Sequence, residues 1–332
     1  MNEVNKFKQN LIEKESPPEN IDEMISTLTE FQEFLDKRGK TFQGASSEDF
    51  YDFSNILIGE EKNTRLAYIA ILSLGDFFNY QNLSIFGRDV LDGSEMMVNL
   101  SKRLTKEFSK EFRDEIFKDI GIPPLGISPK VKPDYTKKLI NRFVNKVGEE
   151  TAEKFLAKGL RDPYTEWRKP DRERFLKSKN IDEFLAKKRE RQIASLEKYR
   201  DEKSLYFTQR INDEVVEYVK NNPQIEGGIR EGKTLYVTKI PHETIDYLNA
   251  TDEKMKAYHF CHSPWAKEAI KDGTIDQIPT VICQCSGGYY KDYWKIVLEE
   301  PIEVKLLQSV ILGDPICQFA VTLPNDVVKD LE

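Results

Sequence analysis

The sequence predicts a multidomain protein with an all-α N-terminal half and an α+β C-terminal domain. Two observations carry this. Apolar residues recur at three- and four-residue spacing up to about residue 203, whereas short β-branched runs between glycines and prolines appear only after it. All 4 cysteines and all 3 histidines also fall in that last segment, between His242 and Cys317, so it differs in kind from the helical front. A chain of 332 residues is also too long for one small domain.

Taken in order, residues 1 to 18 read as a polar arm ending at Pro17 and Pro18. Ile21, Met24, Ile25, Leu28, Phe31, Phe34 and Leu35 then form the stripe of an amphipathic helix, stopped at Arg38-Gly39. A second helix starts at Ser46 or Ser47, with Glu48 and Asp49 favouring its first turn, and closes at Gly59. A third runs from Asn63 to Tyr80. Helical pattern continues from 84 to 120, then 134 to 159 and 180 to 200, with breaks expected at Asp162-Pro163 and Lys169-Pro170. Residues 205 to 221 read as one more helix. Beyond it TLYVTKIP (234–241) and TVICQC (280–285) read as strands. Pro264 starts a helix closed by Gly273, and two last strands flank a turn at Gly313-Asp314-Pro315. The domain expectation is 1–18 arm, 19–92 helical domain, 93–203 helical linker region and 204–332 Cys/His-rich α+β domain.

Composition narrows the function classes. With 39% apolar and 32% charged residues the chain can bury real cores under a polar surface. A net charge of -7 gives no general attraction to nucleic acid or anionic membranes. No apolar run approaches the ~20 residues of a membrane span, and the polar N-terminus lacks a signal-peptide core, so a cytoplasmic location and no membrane partner are expected. Cysteines in such a chain point to thiols or metal rather than disulfides.

Ligand types come together at His259-x-Cys261-His262, at Cys283-x-Cys285 and at Cys317. In a strand, Cys283 and Cys285 would share one face. Cys261, His262, Cys283, Cys285 and Cys317 are therefore candidate ligands for zinc, which takes four Cys or His side chains in a structural site and three in a catalytic one. Cys261 and Cys285 are candidate nucleophiles, Cys261 because the helix that follows can lower a thiol pKa. His242 and His259 are peripheral in this reading. Small apolar core cysteines are the third reading.

Two stretches resemble known families. YHFCHSPWAKE and VICQCSGGYYKDYWKIVLEEPIEVKLLQSVILGDPICQFAVTLP, with Cys285-Ser286-Gly287 and Gly313-Asp314-x-x-Cys317-x-Phe319, resemble proteins related to 4-vinyl-reductase-like (V4R) and aminothiazoline-carboxylate hydrolase-like domains. The resemblance covers about the last 130 residues. It implies an α+β small-molecule-binding domain in which cysteines can hold zinc; Cys285 and Cys317 match best, and Ser263 stands where relatives often carry a further cysteine. Residues 20 to 92 resemble the core-binding (SAM-like) domain of tyrosine recombinases through Leu28-x-x-Phe31-x-x-Phe34-Leu35, Ser47-x-Asp49-Phe50 and Lys62-Asn63-Thr64. That resemblance implies DNA contacts, for which Lys37, Arg38, Lys40, Lys62 and Arg65 are the candidates, although acids outnumber bases roughly two to one there. No recombinase catalytic domain follows. The expectation is a non-catalytic sensor or regulator with a ligand- or zinc-binding back and a DNA- or protein-contacting front. The alternative is a cysteine- or zinc-dependent hydrolase of a small heterocycle.

Overall fold

In the computed structural model, residues 2–163 and 165–328 are described. The chain divides into two compact units, one of residues 1–94 with 122–132 and one of residues 95–121 with 133–332.

The first unit is helical. Its helices are α1 (Glu3–Glu13), α2 (Pro18–Asp36), α3 (Ser47–Gly59), α4 (Arg65–Phe78) and α5 (Gln81–Leu91). The expected polar arm is corrected here. Asn2 caps α1, which buries Val4, Phe7 and Leu11 one turn apart; so few apolar residues among lysines and asparagines hid the stripe. Ser46 and Asp49 form a reciprocal capping box on α3, Thr64 caps α4, and Asn79 ends α4 in the left-handed conformation. Leu28, Phe31, Leu35, Phe50, Tyr68, Ile71 and Leu74 fill the core.

The segment 122–132 is keyed into this unit at Gly126. Its φ is +95°, and a Cβ there would lie 1.8 Å from Tyr68 Oη. Ser54 Oγ donates to Gly126 O at 2.8 Å and lies 2.6 Å from Tyr68 Oη, so the buried hydroxyls are satisfied by the returning backbone.

The second unit contains α6 (Met96–Glu107), α7 (Lys110–Ile116), α8 (Lys132–Val147, from its second residue), α9 (Glu149–Leu156), α10 (Thr165–Leu176) and α11 (Ile181–Asp201). A hairpin of β1 (Leu205–Tyr206) and β2 (Gln209–Arg210) leads to α12 (Asp213–Asn221), β3 (Ile229–Glu231) and β4 (Thr234–Thr238). Then come α13 (Thr244–Asn249), α14 (Glu253–Phe260), α15 (Lys267–Asp272), α16 (Gln284–Leu298), β5 (Glu303–Gln308), β6 (Gln318–Thr322) and α17 (Asn325–Val328).

Three expectations fail here. Pro170 lies inside α10, and residues 205 to 210 are a hairpin rather than the start of a helix. Residues 280 to 285 are no strand: Thr280–Cys283 is a 3-10 turn that runs into α16.

The four main strands form an antiparallel sheet in the order β3-β4-β6-β5, with Val237 opposite Phe319 and Leu306 opposite Phe319. Trp294, Val297, Phe184, Val237, Phe319 and Val321 form the core between sheet and helices. Gly288 of α16 meets the turn after α9 so closely that a Cβ would come 2.3 Å from Gly159 Cα. The architecture is thus mostly helical, with a small antiparallel sheet in the C-terminal part. Among the described residues no helix is long and apolar enough to cross a membrane.

Candidate functional site

The edge where β4 ends brings chemistry together. Lys239 follows β4, and its N–H donates to Cys317 O at 3.1 Å, which places Lys239 and Cys317 side by side where β4 and β6 meet. The loop before β3 runs along the same strand: Glu226 N donates to Thr238 O and Thr238 N to Gln224 O, both at 2.8 Å. Glu226 itself has φ +54°, a conformation that costs a residue with a Cβ about 1 kcal/mol. Its Oε1 lies 3.4 Å from Ile240 N, and Lys188 Nζ of α11 donates to Glu226 O at 2.8 Å. From α16 come Cys285 and Tyr290, and after α14 comes His262, whose Nε2 donates to Ile240 O at 2.6 Å. The Lys239 charge acts on Glu226, His262, Cys261, Cys285 and Cys317 alike.

Glu226, His262, Lys188, Lys239, Cys283, Cys285 and Cys317 all keep some accessible area. Burial nonetheless pushes Glu226 and the Cys285 and Cys317 thiols up, Lys188 down and His262 well down, with Lys239 and His242 adding to the effect on His262. Among the described residues, no carboxylate lies within 4.0 Å of Lys239 Nζ and no cation within 4.0 Å of the Glu226 carboxylate. Tyr290 is 4% exposed and its hydroxyl has no hydrogen-bond partner. Gln192, one turn beyond Lys188 on α11, has both amide atoms buried and unpartnered.

No family model, curated protein or solved structure matches this chain.

Of the five candidate zinc ligands, Cys261, His262, Cys285 and Cys317 feel the Lys239 charge. Cys261, expected to be reactive, is 3% exposed at the C-terminus of α14, and burial pushes its thiol up to about 12. Cys283 accepts a hydrogen bond from Ser309 Oγ at 3.0 Å. Because Cys283 and Cys285 lie on a helical turn, their side chains leave the axis on nearly opposite sides, not on the shared face a strand would give. The sulfurs sense one another electrostatically, Cys283 with the other three. No three of Cys261, His262, Cys283, Cys285 and Cys317 bring their ligand atoms within 4.8 Å of one another.

The group of described residues that meets that spacing, and could hold a metal ion, is Glu243, Asp246 and His259. His259 was peripheral in the sequence reading; the overlooked signal was the three-residue spacing of Glu243 and Asp246 at the start of α13. His259 Nδ1 donates to Glu243 Oε2 and Lys267 Nζ to Glu243 Oε1, each at 2.5 Å. Burial works against the Glu243 charge, but Lys267 and His259 hold its pKa below the ordinary value. Lys267 Nζ also lies 3.3 Å from His242 Nδ1, and the His242 and His262 rings meet edge to face at 5.2 Å. A cation at Glu243 would therefore compete with the Lys267 ammonium.

In the first unit, the DNA-contact candidates are mostly engaged. Arg38 bonds Asp49 at 3.1 Å and Asp52 at 2.8 Å, and Lys40 bonds Asp49 at 2.5 Å. Lys62 pairs with Glu30 at 3.1 Å and Glu60 at 2.8 Å. Arg65 donates to Ser94 Oγ at 3.4 Å, and Lys37 stands at the C-cap of α2.

Proposed function

We propose that the second unit is a small-molecule-binding module and that the protein is a non-catalytic, ligand-responsive regulator, with its site at the end of β4 around Lys239. The observation that supports this reading is the juxtaposition of Lys239 and Glu226 along β4, neither of them ion-paired within 4.0 Å and Glu226 pushed up by burial. Desolvating a carboxylate such as Glu226 without pairing it costs several kcal/mol, which a bound ligand offsets by completing its contacts. Burial keeps the thiols protonated, and a protonated thiol is neither a good nucleophile nor a metal ligand. This favours binding over catalysis.

The second reading, a cysteine-dependent hydrolase, is favoured by one feature. Cys285 sits in the first turn of α16 with Lys239 and Arg161 acting to lower its pKa against burial. Zinc enters either reading in one of two ways: by drawing the sulfurs closer, or by taking Glu243, Asp246 and His259 in exchange for Lys267. The first unit we read as a packing or protein-contact module, because Arg38, Lys40 and Lys62 are occupied by acids of the same unit and phosphate contacts need free cations.

Lys239→Met tests the proposal. The variant should unfold at equal or higher denaturant than the parent, since it removes a half-buried charge that has no ion pair to lose. A loss like that of a core truncation, about 2 kcal/mol or more, would make Lys239 structural and end the reading. Alkylation of the native protein separates binder from enzyme: slow labelling of Cys283, Cys285 and Cys317 agrees with partly buried, protonated thiols, whereas one fast thiol at neutral pH favours the hydrolase.

A further inference from the structure

We infer that Glu243, Asp246 and His259 form a site for a divalent transition metal of the zinc class, and that the Lys267 ammonium holds the cation position until the metal displaces it. The inference rests on the second of the two routes given for zinc and not on the ligand-binding reading at Lys239.

The backbone brings the three side chains together. Glu243 N donates to His259 O at 2.9 Å, which ties the residue before α13 to the last turn of α14. Asp246 follows three residues later, in the first turn of α13. One ligand atom from each of the three lies within 4.8 Å of the others, and His259 Nδ1 and Glu243 Oε2 are already 2.5 Å apart. Two atoms bound to one zinc ion at about 2.0–2.2 Å stand at most about 4.4 Å apart. Shifts of a few tenths of an ångström therefore close the set.

Glu243 and His259 are half-buried and Asp246 is exposed, so an ion reaches them from solvent. Among the described residues the Asp246 carboxylate has no hydrogen bond or ion pair, although a second carboxylate lies beside it. Like charges so close repel, and a cation between them removes that cost. One imidazole nitrogen with two carboxylate oxygens suits zinc and its first-row neighbours, whereas calcium and magnesium take oxygen ligands.

Lys267 is the device that sets the affinity. It begins α15 and is buried, with its Nζ 2.5 Å from Glu243 Oε1, 3.3 Å from His242 Nδ1 and 4.5 Å from the centre of the Tyr258 ring. A buried ammonium seated on the shared carboxylate marks where positive charge is favoured. It cannot stay there beside a dication, because two cations on one carboxylate in a poorly solvated place repel strongly. Metal and ammonium therefore exclude each other. As the metal enters, the proton that His259 Nδ1 gives to Glu243 goes to solvent.

The test titrates cobalt(II), whose absorption bands report its ligands, into the full chain, and repeats the titration with zinc by calorimetry. The parent should take up one ion without the near-ultraviolet band that thiolate ligands give. Lys267→Met should bind at least tenfold more tightly than the parent. Lys267→Gln, which keeps a donor for Glu243, should do the same and serves if Lys267→Met does not fold. Asp246→Asn, at an exposed side chain, should bind at least tenfold more weakly, and His259→Gln likewise.

A thiolate band would put the ion at the cysteines and overturn the inference. Equal affinity in the parent and the Lys267 variants would make Lys267 a bystander and overturn it too, as would failure of all of them to bind. None of these results touches Lys239, whose role is judged separately by the unfolding of Lys239→Met and by the alkylation rates.

Discussion

Each unit of this protein withdraws an acid from water, and the two acids are treated in opposite ways. Asp49 in the first unit is 1% exposed, and its oxygens accept from Arg38, Lys40 and both the backbone and the hydroxyl of Ser46. Burial alone would raise its pKa, but those partners hold it well below the usual carboxylate range. Glu226 in the second unit has one long backbone contact and no ion pair, and burial pushes it up. A fully partnered acid stabilises its surroundings and leaves nothing for a ligand. An under-partnered one leaves a cost that only a visitor relieves. The contrast separates a scaffold from a site.

The largest test of that contrast is Asp49→Ala. It strips the capping box and the buried acid's bonds to Arg38 and Lys40, while Arg38 keeps Asp52, so the first unit should lose about 2–4 kcal/mol in urea unfolding. A loss below about 1 kcal/mol would show that Asp49 does no more than an exposed pair. Smaller is Gly288→Ala, which drives a methyl into the backbone at Gly159 and should cost the second unit about 1–3 kcal/mol. A neutral result would mean that α16 can slide from the turn after α9.

The smallest change should have the opposite sign. Glu226→Gln should leave stability at neutral pH equal or raise it by about 1 kcal/mol while weakening ligand binding. The pH slopes of the two acids should oppose each other as well. Asp49 has a depressed native pKa, so its stabilisation is present above about 3.9 and drains as pH falls below that; Asp49→Asn lacks this acid loss. Glu226, facing Lys188, Lys239, Tyr206 and Tyr290, has a raised native pKa. Its unfavourable share therefore grows as pH rises from about 4.3 toward that value, and Glu226→Gln removes the slope. Parallel slopes in the parent and in both variants would erase the distinction.

How far the sequence reveals this depends on whether the cause is local. The Ser46–Asp49 cap, the Leu28, Phe31 and Leu35 stripe and the glycine stops at Gly273 and Gly313 are short-range devices, and they are legible. Residues 280 to 285 mislead because Thr280, Val281 and Ile282 carry strand preference and Gly287-Gly288 depress helix preference. What holds α16 is tertiary: Gly288 lets the helix touch Gly159. The two-residue strands at 205–210 are too short to show any period. The cysteines draw attention to the C-terminal segment, but not to Glu226, Lys188 or Tyr290. Glu226 comes beside β4 on a loop, and Lys188 and Tyr290 lie on two separate helices, so no local spacing encodes their placement.

The keying of Gly126 under Tyr68 and Ser54 bears on how the chain is made. Residues 95–121 belong to the second unit but are synthesised before residues 122–132, which complete the first. On the ribosome the first unit must wait, with the Ser54 and Tyr68 hydroxyls unsealed, until the chain has grown past Lys132. A fragment ending at Ser94 should accordingly be more protease-sensitive than one carried through to Lys132, which holds the whole first unit and the Gly126 carbonyl that Ser54 needs.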